Sequence, residues 1–165
     1  MRKWRRAARS AQQTEALGGV LAEALPVPRD GPAVVYLRGE LGAGKTTLAR
    51  GFLERCGFAG PVRSPTFALL HCYERPDLVV AHVDLYRLGD PRDLEGLGLR
   101  DLACPGHVWL VEWPERGEGE LPAPDLAVDL TTPAGGEGRE IVTSARSPFG
   151  ARWLRRAVEF QRAAT

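Results

Sequence analysis

Residues 39–47 read GELGAGKTT and directly follow the apolar run AVVYLR. Gly39, Gly44, Lys45 and Thr46 satisfy the spacing G-x-x-x-x-G-K-[ST], and the chemistry that this spacing serves is phosphate binding. Glycine lets the backbone wrap closely around an anion, so that N–H groups point inward. Here the wall would be made by Glu40, Leu41, Gly42, Ala43 and Gly44. A helix that starts at the lysine turns its positive end toward the same anion. Lys45 can reach the terminal phosphates of a nucleotide, and the Thr46 hydroxyl is placed to bind Mg2+.

Two carboxylates end apolar runs further along. Asp84 follows LVVAHV, and Glu112 follows VWLV. In an open α/β sheet, ligands bind outside the carboxyl ends of the parallel strands. A carboxylate there can hold Mg2+, hold its water or orient an attacking water. Ser64-Pro65-Thr66 lies about one helix after the loop, where P-loop proteins carry a hydroxyl that senses the terminal phosphate. Lys3 and Lys45 are the only lysines, so no Asn-Lys-x-Asp element for reading guanine can be built. ATP is the expected nucleotide.

These groups need elements to position them. Ser10 with Gln13 has capping-box form. Leu17, Val20, Leu21, Ala24 and Leu25 then share a helical face that Pro26 and Pro28 end. Ala33–Arg38 reads as a buried strand before the loop, and a helix runs from Lys45 to about Cys56, with Gly57 as its stop. FALLHCYE and DLVVAHVDLY read as a hairpin turning near Arg75-Pro76-Asp77. Asp90-Pro91 starts a helix, HVWLVEW is a buried strand, and Glu115–Pro124 is a surface loop. DLAVDL and GREIVTSA pair across a glycine-rich turn, and Ser147-Pro148 opens the last helix. Early alternation of strands and helices, followed by clustered strands, predicts an α/β fold: a P-loop NTPase-like mixed sheet with a parallel core flanked by helices.

A length of 165 residues fits one domain. An apolar share of 44% and a charged share of 26% are ordinary for a globular chain, and no apolar run approaches the roughly 20 residues that cross a membrane. Cys56, Cys72 and Cys104 are odd in number and lack paired spacing, which argues against a disulfide framework and suits a reducing, cytoplasmic setting. Charge is unevenly placed. Five of the 22 Lys and Arg lie in residues 1–9 with no acid among them, so the other 17 face all 21 acids. Residues 1–9 are therefore expected to be a basic, frayed tip, with an RNA-touching arm as the alternative, and residues 10–165 one P-loop ATPase domain.

GELGAGKTTLARGF at 39–52, VRSPTF at 62–67, HVDLYRL at 82–88 and LVEWPERG at 110–117 occur in that order. With LPAPDL at 121–126, GRE at 138–140 and T-x-x-LG at 14–18, they resemble the TsaE family of bacterial tRNA threonylcarbamoyladenosine biosynthesis. The resemblance spans most of residues 10–145. It implies a Mg2+-dependent ATPase of low intrinsic rate, stimulated by a partner. Lys45 would contact the terminal phosphates, and Thr46 and Glu112 would lie on Mg2+. Asp84 would be the acidic residue after a strand, and Thr47 would support the loop. Ser64 and Thr66 would belong to a switch-like loop, Trp113 would lie beside the site, and Arg139 would approach the nucleotide. The implied partners are the TsaD and TsaB subunits, with tRNA reached through them and no membrane involved. A nucleotide-dependent binding module with little hydrolysis and a small-molecule P-loop kinase are the alternatives.

Overall fold

The computed structural model describes residues 2–26 and 30–164; the expectations that rest on Met1, Pro28 and Thr165 lie outside the described residues. The chain runs β1 (Lys3–Ala8), α1 (Ala11–Glu23), β2 (Ala33–Arg38), α2 (Lys45–Arg55), β3 (Leu70–Arg75), β4 (Leu78–Asp84), β5 (His107–Glu112), β6 (Leu126–Thr131), β7 (Arg139–Ala145) and α3 (Pro148–Ala163). All seven strands join one sheet in the order β1-β7-β6-β2-β5-β4-β3. The core strands β6, β2, β5 and β4 are parallel to one another, whereas β3 pairs antiparallel with β4, β7 with β6, and β1 with β7. This is the mixed sheet with a parallel core that the sequence predicts.

Alternation along the central strands sorts side chains into two layers. Val35, Leu37, Val108, Leu110 and Val128 meet the three α-helices. Val34, Tyr36, Ala81, Val83, Trp109 and Val111 meet Leu94 and Leu99 on the other face. Those leucines belong to the stretch expected as a helix from Pro91. It forms two 3-10 segments, Pro91–Leu97 and Leu99–Leu102, interrupted where Gly98 adopts φ 70°. A third, Pro114–Gly117, lies within the loop expected from residue 115.

The helix α1 starts as its sequence dictates. Ser10 Oγ accepts from Gln13 N at 3.3 Å, and Gln13 Oε1 accepts from Arg9 N at 2.7 Å. Its contact with α2 depends on two glycines. A Cβ on Gly18 would lie 2.0 Å from the Leu48 carbonyl oxygen, and one on Gly51 would lie 1.9 Å from that of Glu15. Trp153 on α3 closes this layer: it is fully buried, meets Phe52 and Phe149 edge-on, and donates its indole N–H to Leu21 O at 2.7 Å. At the other end of α3, Ser147 caps the helix and bonds Asp125, whose carboxylate also accepts from Val34 N at 3.0 Å.

The start of the chain differs from expectation. Lys3–Ala8 is an ordered edge strand rather than a frayed tip, paired with β7 from Lys3↔Ser144 to Ala8↔Arg139. Trp4 packs against the helix-side core and supplies apolar burial that a purely basic segment lacks. The first strand of the expected hairpin is also shorter. Residues 66–69 turn before β3 begins, with Leu69 at φ 61° and its N–H bonded to Pro65 O at 2.7 Å.

Candidate functional site

Strand β2 ends at Arg38 and the loop begins at once. Gly39, Gly42 and Gly44 adopt φ of 148°, 77° and 106°, a region that strongly favours glycine. Gly39 is also fixed by space, because a Cβ there would lie 2.4 Å from Leu130 O. Lys45 starts α2, is buried, and donates from Nζ to Gly39 O at 2.5 Å and Glu40 O at 2.9 Å. Its ammonium also sits 4.2 Å from the centre of the Trp113 ring. Burial pushes the Lys45 pKa down, opposed by Glu112, Asp84, Glu115 and Glu40.

The carboxylates reach the same place because β4 and β5 are parallel and in register, with Asp84 opposite Glu112. Strand alternation puts both on the face that carries α2. Thr46 Oγ1 donates to Glu112 Oε1 at 2.7 Å, and Ser64 Oγ lies against Asp84 Oδ2 and 3.4 Å from Glu112 Oε2. Tyr86 N donates to Asp84 Oδ1 at 2.9 Å. Burial acts to raise the pKa of both acids. For Asp84 it prevails over the Ser64 and Tyr86 hydrogen bonds, and the neighbouring Glu112 adds to the rise. For Glu112 the interactions with His82, Thr46 and Asp84 prevail over burial, and its pKa falls. The site therefore favours keeping the charge on Glu112 when the two acids compete for a proton.

A cleft of about 420 Å³ joins these groups, lined by residues that include Leu41, Gly42, Gly44, Lys45, Thr46, Thr47, Ser64, Thr66, Asp84, Glu112 and Trp113. Three residues expected at the site stand differently. Glu40 and Ala43 contribute backbone: the Glu40 carbonyl holds Lys45, and the Ala43 carbonyl accepts from Arg139 Nε at 2.8 Å. Arg139 also donates to Gly42 O at 2.9 Å and Gly138 O at 2.6 Å, so its guanidinium braces the loop. With Arg9, Ser10, Thr14, Gly42 and Thr47 it lines a second hollow of about 280 Å³ behind the loop.

Tyr86 and Arg87, read only as part of HVDLYRL, complete the cleft wall, and His82, expected to be an ordinary histidine, lies against Glu112. His82 is wholly buried, with Nε2 3.6 Å from Glu112 Oε1 and no hydrogen bond to either ring nitrogen among the described residues. The two-residue step from His82 to Asp84 along a strand was the available signal, since it puts both on one face.

The model of the family described as "Threonylcarbamoyl adenosine biosynthesis protein TsaE" matches residues 8–141. The chain belongs to the TsaE family. A TsaE from Haemophilus influenzae is 47% identical over 97 residues, which cover 59% of this chain and 61% of that protein. The Bacillus subtilis TsaE is 38% identical over 143 residues, covering 87% and 85% of the two chains. Among solved structures, the crystal structure of YdiB from Bacillus subtilis superposes with a TM-score of 0.68 at 29% identity, over 99% of this chain and 95% of that one. Family and fold thus agree with a phosphate-binding loop at the carboxyl end of a parallel sheet. Among the described residues, no helix is long and apolar enough to cross a membrane.

Proposed function

We propose that this TsaE-family chain binds ATP with Mg2+ in the cleft, hydrolyses it slowly, and thereby supports threonylcarbamoyl transfer to tRNA by a TsaD–TsaB pair. The observation that carries this reading is the meeting of Lys45, Thr46, Ser64, Asp84 and Glu112 around one cleft beside a glycine-built anion loop. The donor set fits the ligands. Backbone N–H groups and Lys45 suit phosphate, while the oxygens of Thr46 and Glu112 suit a hard cation such as Mg2+.

Bound Mg2+ would neutralise charge on the phosphates. Thr46 and Glu112 would hold it, and Thr46 already has Glu112 as its hydrogen-bond partner. Lys45 would stabilise charge at the terminal phosphate, leaving the carbonyls that now hold it. Asp84 would orient the attacking water with Ser64, and Thr66 would carry the state of the phosphate into the loop that ends in Leu69. Trp113 would shield Lys45 from solvent. Thr47 and Arg139 would sit at the nucleoside end, with Arg139 keeping the loop carbonyls turned away from the phosphates.

The rate alone is low, with most stimulation coming from the partner. The test is phosphate release from ATP and Mg2+ by the wild type and Glu112→Ala, beside equilibrium dialysis of ATP. The expected outcome is hydrolysis cut at least ~10²-fold with ATP still bound. Equal hydrolysis by Glu112→Ala would remove Glu112 from the role given to it.

A further inference from the structure

Charge on this molecule is segregated in space. Arg2, Lys3, Arg5, Arg6 and Arg9 lie on or beside β1, and Arg146, Arg152, Arg155, Arg156 and Arg162 lie on or just before α3. All ten are exposed, and Glu159 is the only acid in the two segments. The remaining 12 basic residues face 20 acids. The two segments meet along the β1 edge: alternation puts Arg6 on the face of β1 that carries Trp4 and packs on α3, and Lys3 and Arg5 on the opposite face. Ala145 N donates to Arg2 O at 2.9 Å, which sets Arg2 next to the stretch carrying Arg146. From there α3 runs back along the outer end of the sheet, packed on β7 and β1.

Protection of a sheet edge explains part of this pattern, since lysine and arginine on an edge strand discourage pairing with other chains. It does not explain five arginines at α3, which has no edge to protect. Structural use accounts for few of the ten. Arg5 pairs with Glu140 at 3.3 Å, Arg6 lies 5.9 Å from the Trp4 ring, Arg152 lies 5.5 Å from the Phe149 ring, and Arg156 donates to Ala24 O at 2.9 Å. The guanidinium groups of Arg155 and Arg162 project from the exposed side of the helix.

We propose that the β1–α3 face binds the phosphate backbone of folded RNA. Arginine suits phosphate because its planar fork donates two parallel hydrogen bonds, and nine of the ten cations are arginine. A surface of exposed arginines suits recognition of backbone and shape, not sequence. The choice of RNA rests on the family's part in threonylcarbamoyl adenosine biosynthesis; the phosphate recognition rests on the charge alone. None of the ten cations lines the nucleotide cleft, although Arg9 lines the hollow behind the loop.

The test is fluorescence anisotropy with a 5′-labelled, unmodified tRNA transcript and the full chain without nucleotide, from 50 to 200 mM KCl. If about four cations engage phosphates, affinity falls ~100-fold across that range. The double variants Arg155→Ala/Arg162→Ala and Arg2→Ala/Arg6→Ala each weaken binding about tenfold at the lowest salt and flatten the salt slope by about two. Arg92→Ala/Arg100→Ala, on the 3-10 segments that carry Leu94 and Leu99, leaves binding unchanged. Melting curves confirm that the variants fold, and ATP binding reports on the cleft independently. Absence of tRNA binding at 50 mM KCl would overturn the proposal. So would equal binding by wild type and both edge variants, or equal-affinity displacement of tRNA by polyglutamate, which would make the face a dock for an acidic protein.

Discussion

Lys45, Asp84 and Glu112 sit within one cleft but in unlike electrostatic settings, and this is where substitutions should be read first. Lys45→Ala is expected to weaken ATP binding as well as hydrolysis, because it removes the buried cation beside the anion loop; dialysis and phosphate release together check both effects. Asp84 has a subtler signature. Its pKa is raised in the folded chain, so the native state binds more protons than the unfolded state above the ordinary carboxylate value of 3.8. Stability contributed at Asp84 is therefore present below that value and is lost as pH rises through the raised one. Asp84→Asn keeps the acceptor for Tyr86 N and removes this loss, so it should melt higher than wild type at pH 7, with the gap closing as pH falls from the raised value toward 3.8. Melting temperature against pH for the two proteins tests it, and phosphate release should fall in the same variant. Glu112 has the opposite sign, since its lowered pKa makes its contribution present at neutral pH and lost in acid.

The elements explain what could be read from the sequence and what could not. The loop, Lys45 and Thr46 were legible because their spacing is local, with β2 before and α2 after. Asp84 and Glu112 were legible as strand ends, since LVVAHV and VWLV are runs that only a covered parallel sheet buries on both faces. Their shared cleft needed the β4–β5 register, which no local pattern encodes. Arg139 was placed near the loop by its motif, but its bonds to Gly42 and Ala43 depend on how β7 returns beside the sheet. The basic charge of residues 1–9 concealed an edge strand because pairing with β7 is a contact across the whole chain. The two glycines between α1 and α2 were likewise ordinary in sequence and tightly placed in space. Gly51→Ala forces a Cβ into the Glu15 backbone, and overpacking of this kind costs about 1–3 kcal/mol. At roughly 2–4 °C per kcal/mol for a chain of this size, thermal melting should show a drop of several degrees or more. An unchanged melting temperature would mean that the helices separate freely.

At the scale of the whole molecule, the sheet divides two tasks. Its carboxyl end carries the anion loop and the acids, while its β1 edge with α3 carries the surplus of positive charge. The family assignment and the YdiB-like fold place the chain in tRNA threonylcarbamoyladenosine biosynthesis, with a fold suited to nucleotide binding. Trp153 holds the layer that joins the two ends, so Trp153→Ala should cost about 3–5 kcal/mol and lower the melting temperature without a direct effect on cleft chemistry. The central claim is that the cleft turns over ATP for a partner. Phosphate release from ATP and Mg2+ should be measured with the chain alone and with a TsaD–TsaB pair, using Lys45→Ala as the blank. Slow release that rises on adding the pair is the predicted result. ATP binding without any rise would contradict it and leave a nucleotide-binding module in its place.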